Sequence, residues 1–123
     1  RRVRDIPDRI KRVKHALMKK DFEELGEVME EDCISMHAVA MTQKPPLFYW
    51  SGGTMEIIRA VQEWRAEGLP VYFTIDAGPN VHLICEGKDE REVTRRVRTM
   101  QGVEHVMVNK PARGAHLAES HLF

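Results

Sequence analysis

Asp76 stands between two runs in the stretch YFTIDAGPNVHLI, residues Tyr72 to Ile84. An aromatic and β-branched run leads into the acid, Ala-Gly-Pro-Asn follows, and a second run alternates apolar and polar residues. A carboxylate at the tip of a strand can serve as a catalytic acid or base. An Asp before Gly-Pro-Asn can equally build a hairpin, by accepting hydrogen bonds from turn amides. Alternation along the strand puts Val71, Phe73 and Ile75 on one face and Tyr72, Thr74 and Asp76 on the other. The apolar set belongs against helices, so Asp76 projects from the opposite, open face, where a second domain could cover it. Gly78, lacking a Cβ, lets backbone come close to a ligand. On the local pattern alone the turn role is favoured, and chemistry needs a further argument.

The other chemistry-bearing residues read more blandly. His37 lies among Met36, Ala38 and Met41, the company of a hydrogen-bonded packing histidine rather than of a ligand or base. Cys33 and Cys85 have no adjacent His or cation in sequence to lower a thiol pKa, and they form no C-x-x-C pair or His/Cys metal cluster. Buried, reduced thiols are the expectation. Ser51-Gly52-Gly53 could cradle a phosphate ahead of a helix, but no Lys-Ser/Thr follows as in a P-loop, so a helix-entry loop is the better reading. The Arg runs RRVRD and TRRVR fall on helical faces, where solvation or a phosphate contact are both open.

The elements that must position these residues follow from periodicity. Ile6, Ile10, Val13 and Leu17 fall on one stripe of a first helix, with Pro7 in a first turn that tolerates it. Asp21 offers a cap, with Glu24 three residues on, for a second helix carrying Leu25, Met29, Cys33, Met36 and Ala40 along one face. Two long antiparallel helices result. The prolines of QKPPLFYWSGG end the pattern and leave a loop with exposed Leu47, Phe48, Tyr49 and Trp50, a candidate contact with another domain or a second subunit.

A third helix starts near Thr54, runs through Ile57, Ile58, Val61 and Trp64, and stops at Gly68. Strands Val71 to Ile75 and Val81 to Cys85 form a hairpin; KDEREVTRRVRTM is a charged helix burying Val93, Val97 and Met100; VEHVMVNK reads as a closing strand. The tail PARGAHLAESHLF reads as loop with a short helical turn. The class is α+β, a small antiparallel sheet with helices packed on one face.

Composition bounds the function. The 123 residues suit one domain, and 19 basic against 19 acidic residues leave no field to attract nucleic acid or an anionic membrane. No run approaches the roughly 20 apolar residues of a membrane span, nor does a signal peptide pattern open the chain, so a cytoplasmic location is expected. The chain opens RRVRDIP, without an initiator Met, and reads as a piece of a longer protein.

Taken together, Met36-His37-Ala38 in a helix, the Pro45-Pro46 loop with aromatics after it, the helix ending near Gly68, and Tyr72-Phe73-Thr74 leading into Asp76-Ala77-Gly78-Pro79-Asn80 resemble the C-terminal part of diphosphomevalonate decarboxylases, of the GHMP kinase superfamily. RVRDIPDRI resembles the family's helix entry, and the likeness runs from about Arg2 to Val108. It implies the α/β sandwich of GHMP-kinase C-terminal type, ferredoxin-like in character. It also implies a parent enzyme that converts mevalonate 5-diphosphate to isopentenyl diphosphate, phosphate and CO₂ with ATP and Mg²⁺.

By the motif, Asp76 becomes the general base, or the orienting group, for the substrate's 3-hydroxyl, and Ala77 and Gly78 place backbone beside the substrate. Nothing here can stand for the family's glycine-rich ATP loop. The resemblance therefore implies a missing N-terminal domain that binds most of the ATP and Mg²⁺, a homodimeric enzyme, and a piece that is inactive alone. Alternatives are a phosphomevalonate decarboxylase, a mevalonate 3-kinase, or a non-catalytic ferredoxin-like interaction module in which Asp76 only builds a turn.

Overall fold

The computed structural model describes residues 2–114 and Leu117. Helix α1, Arg2–Lys19, and helix α2, Phe22–Thr42, form the expected antiparallel pair. Their junction is fixed by Lys20 in the left-handed region and by the Asp21 carboxylate, which accepts from the backbone nitrogen of Glu24 at 3.1 Å. Because α1 begins at Arg2, Pro7 lies inside the helix rather than in its first turn. Pro7 is exposed, so water can serve the carbonyl whose helical partner it removes.

The interface between these helices is ionic. Arg2 and Arg9 both bind Asp32, Arg9 also binds Glu31, and Arg12 bridges Glu24 and Glu31. The expected apolar stripe of α1 is correspondingly half open, with Ile10 and Leu17 exposed and Arg9 and Ala16 buried.

Helix α3, Gly52–Ala66, is entered through a capping box: Ser51 Oγ accepts from the Thr54 nitrogen and Thr54 Oγ1 accepts from the Ser51 nitrogen. It stops at Gly68, whose φ of +94° is a backbone state that glycine adopts without strain. Strands β1, Val71–Ile75, and β2, Val81–Cys85, then pair antiparallel, with Phe73 opposite Leu83 and Thr74 opposite His82. Val71, Phe73 and Ile75 face the core built by Ile58, Val61 and Trp64 of α3 and by Val93 and Val97 of α4, Glu90–Arg98. The α+β class and the hairpin hold.

Three details depart from the sequence reading. Residues 103–110 form no strand: Val103 and Val106 both pack on the core, and an odd separation of three cannot keep both on one face of a strand. Tyr72, expected on the open face, is only 3% exposed, because its ring lies under α2 against Gly26 and edge-on to Phe22. The open face thus survives only toward Thr74 and Asp76. In the aromatic loop Phe48 is exposed, but Tyr49 and Trp50 turn inward onto His37. Of the tail, Pro111 to Gly114 have no regular structure, and most of the rest lies outside the described residues.

Candidate active site

An edge strand carries unpaired backbone groups, and here a helix supplies their partners. On its side away from β2, β1 presents the outward groups of Val71, Phe73 and Ile75. Helix α2 buries Gly26, Glu30, Cys33 and His37 along a stripe with helical spacing. Glu30 Oε1 accepts from the Phe73 nitrogen at 3.1 Å and the Ile75 nitrogen donates to Cys33 Sγ at 3.2 Å. His37 Nε2 stands 2.8 Å from the Ile75 oxygen. From α3, Arg65 donates to the Val71 oxygen at 3.0 Å, grips Glu30 through both terminal guanidinium nitrogens, and lies over the Tyr72 ring.

Gly26 and Glu30 escaped the sequence reading, which followed Leu25, Met29, Cys33, Met36 and Ala40 along this helix. The signal available was the 26-30-33-37 spacing. His37 is the hydrogen-bonded packing residue expected.

Asp76 is the first residue beyond this tethered strand. It is exposed; its backbone oxygen accepts from the Gly78 nitrogen at 2.9 Å, and its carboxylate has no hydrogen-bond partner among the described residues. The bland expectation, a side chain consumed by turn amides, is therefore not what the chain displays. Ala77 is exposed and Gly78 half-buried, and a Cβ on Gly78 would meet nothing, at a φ outside the left-handed region. Neither local conformation nor packing among the described residues demands glycine there.

Asp76 lines a groove of about 640 Å³ that runs from α1 across α2 to the sheet, walled largely by apolar side chains such as Ile10, Met29, Met36 and Ile84. Two carboxylates line it, Asp32 and Asp76. Hydrogen bonding from Arg2 holds the Asp32 carboxyl below the usual carboxylate range, and its role in joining α1 to α2 is already filled. That leaves Asp76 as the groove carboxylate with no hydrogen-bond partner among the described residues.

The remaining candidates have structural roles. Burial pushes both thiols, Cys33 and Cys85, up in pKa, and both cysteines are free. Ser51 is spent on the α3 cap. Arg95 and Arg96 are paired with Glu92. Among the described residues no three His, Cys, Asp or Glu side chains converge to hold a metal ion, and no helix is long and apolar enough to cross a membrane.

Residues 1–120 match the model of the mevalonate 5-diphosphate decarboxylase C-terminal domain. The diphosphomevalonate decarboxylase of Candida albicans is 31% identical over 88 residues, which cover 72% of this chain and 24% of that protein. The chain thus spans about a quarter of that relative's length. Among solved structures, the mevalonate diphosphate decarboxylase from Enterococcus faecalis superposes with a TM-score of 0.77 at 32% identity, covering 82% of this chain and 32% of that one. A structure of MDDEF in complex with MVAPP, AMPPCP and magnesium also gives 0.77 at 32% identity, covering 82% and 31%. The fold is that of these domains, the GHMP-kinase C-terminal type expected from the sequence. The chain belongs to the mevalonate 5-diphosphate decarboxylase C-terminal domain family.

Proposed function

We propose that this chain is the C-terminal domain of a longer enzyme that converts mevalonate 5-diphosphate and ATP to isopentenyl diphosphate, ADP, phosphate and CO₂. The observation that carries the reading is the Asp76 carboxylate, exposed at the end of a tethered strand, lining an apolar groove and without a hydrogen-bond partner among the described residues. A tertiary alcohol is a poor nucleophile. A carboxylate within hydrogen-bond reach takes the proton of the 3-hydroxyl as the γ-phosphoryl group of ATP arrives, so that charge does not build on the alcohol oxygen. The C–O bond to the new phosphate then breaks, positive charge develops at C3, and the C–C bond to the carboxylate breaks to give CO₂ and the alkene. Once the exposed Asp76 has passed that proton on to water, its regained negative charge favours that step. Ala77 and Gly78 would bring backbone beside the substrate, which fits a glycine that the chain's own packing does not require.

ATP and Mg²⁺ fall to an N-terminal domain in this reading, since the described residues offer neither a phosphate loop nor a metal cluster. Mg²⁺, when bound, neutralises charge on the transferred phosphate. The solved neighbour with MVAPP, AMPPCP and magnesium supports the same pairing of substrate and nucleotide. The reading includes a homodimeric, cytoplasmic enzyme, and the two free cysteines fit a reducing compartment.

The test is ATP-dependent CO₂ release by the full-length enzyme, with mevalonate 5-phosphate and mevalonate 5-diphosphate assayed side by side. Release from the diphosphate supports the reading. Release only from the monophosphate, phosphoryl transfer without CO₂, or no turnover would each replace it, respectively by a phosphomevalonate decarboxylase, a mevalonate 3-kinase, and a non-catalytic module.

A further inference from the structure

We infer that His37 and Cys33 are positioning residues that set where the Asp76 carboxylate stands, an inference that rests on the reading of Asp76 as the base. Asp76 is held mainly from the strand side. Beyond it, among the described residues, the 77–80 turn ties back through one hydrogen bond, from the Gly78 nitrogen to the Asp76 oxygen at 2.9 Å. Before it, both outward backbone groups of Ile75 are bound by side chains of one α2 turn. The Ile75 nitrogen donates to Cys33 Sγ at 3.2 Å, and His37 Nε2 lies 2.8 Å from the Ile75 oxygen, with Cys33 Sγ 3.5 Å from the same oxygen. A carbonyl only accepts, so Nε2 carries the proton of that contact. Consecutive Cα atoms are about 3.8 Å apart, so a shift of the Ile75 peptide is transmitted directly to Asp76.

His37 is built for this task rather than for contact with a ligand. It is 1% exposed, and the rings of Tyr49 and Trp50 cover it at centroid distances of 5.8 and 5.0 Å. Those contacts fix the imidazole's orientation, and with it the direction of the Nε2 proton. The aromatic loop thereby reaches Asp76 through His37 and Ile75, without touching the groove's rim itself.

A merely structural edge cap and a positioning clamp differ in kinetics. In His37→Gln the amide nitrogen can occupy the place of Nε2, whereas in His37→Asn it falls nearer the place of Nδ1 and cannot reach the Ile75 oxygen. In the full-length enzyme, below its unfolding temperature, His37→Asn is expected to lower kcat for ATP-dependent CO₂ release about 10- to 100-fold, with KM for ATP nearly unchanged, and His37→Gln to recover most of the loss. Val97→Ala, a destabilising cavity on α4 that lines no part of the groove, serves as the control and should leave kcat alone. If His37→Asn does not fold, Cys33→Ser, which keeps an acceptor for the Ile75 nitrogen, and Cys33→Ala, which does not, give the same contrast.

An active wild type and a dead Asp76→Asn enzyme, together with a folded His37→Asn enzyme of wild-type kcat, would overturn the clamp and leave the base in place. So would a Val97→Ala enzyme that loses as much kcat as His37→Asn. An Asp76→Asn enzyme with wild-type kcat would overturn both.

Discussion

The Glu30 carboxylate stands 3.1 Å from the backbone nitrogen of Phe73, completing from a helix the outer edge of a strand that has no neighbour on that side among the described residues. Glu30 is itself held by Arg65, at 2.9 and 3.0 Å, and Arg65 also serves the Val71 oxygen. One buried carboxylate thus ties α2, α3 and β1 together. Glu30→Ala leaves a buried amide and a guanidinium without their acceptor and is expected to cost about 2–4 kcal/mol in chemical denaturation. Glu30→Gln, which keeps the acceptor and loses the charge, should cost less. Equal losses for the two would remove the amide contact from this account.

Gly26 is required by a neighbour rather than by its backbone: a Cβ there would clash with the ring carbons of Tyr72. That ring is also boxed in by Phe22 at 5.5 Å and by the Arg65 guanidinium at 4.5 Å, so it has little room to move aside. Gly26→Ala is expected to destabilise by about 1–3 kcal/mol, the usual cost of overpacking. In a Tyr72→Ala background the same change should cost almost nothing, because the pair share one space. Thermal unfolding of the four proteins reads this directly, and additive losses would contradict it.

Acid should loosen α1 from α2. Hydrogen bonds from Arg12 to Glu31 and from Arg2 to Asp32 hold both carboxyls below their ordinary range. A depressed folded-state pKa contributes stability above the unfolded value, near pH 4, and that contribution is lost as pH falls through the lower folded value. Stability should therefore drop progressively below about pH 4. Asp32→Asn should be less stable than wild type at pH 7 and show a shallower acid limb. Denaturation midpoints measured from pH 7 to 2 decide it, and an unchanged acid limb would count against the pairing.

Periodicity made the four helices and the hairpin legible, down to the Asp21 cap and the Gly68 stop, because each rests on local chemistry. The misses are tertiary. VEHVMVNK has strand composition, yet Val103 and Val106 reach the core at a spacing that no strand provides. Tyr72 alternates correctly and is still buried, since a glycine a whole helix away makes room for it. Glu30 escaped the sequence reading because nothing local announces that a strand edge needs its oxygen. Asp76 was singled out by its position after β1, and the groove it lines needed α1 and α2 in place before it existed.

The most direct measurement is the turnover of the full-length enzyme with Asp76→Asn, assayed as ATP-dependent CO₂ release from mevalonate 5-diphosphate, beside its unfolding temperature and its affinity for ATP. Asn keeps the size and loses the base, so kcat should fall about 100-fold or more while fold and ATP binding stay near wild type. A folded variant within about tenfold of wild type, roughly 1.4 kcal/mol in barrier, would remove Asp76 from the chemistry.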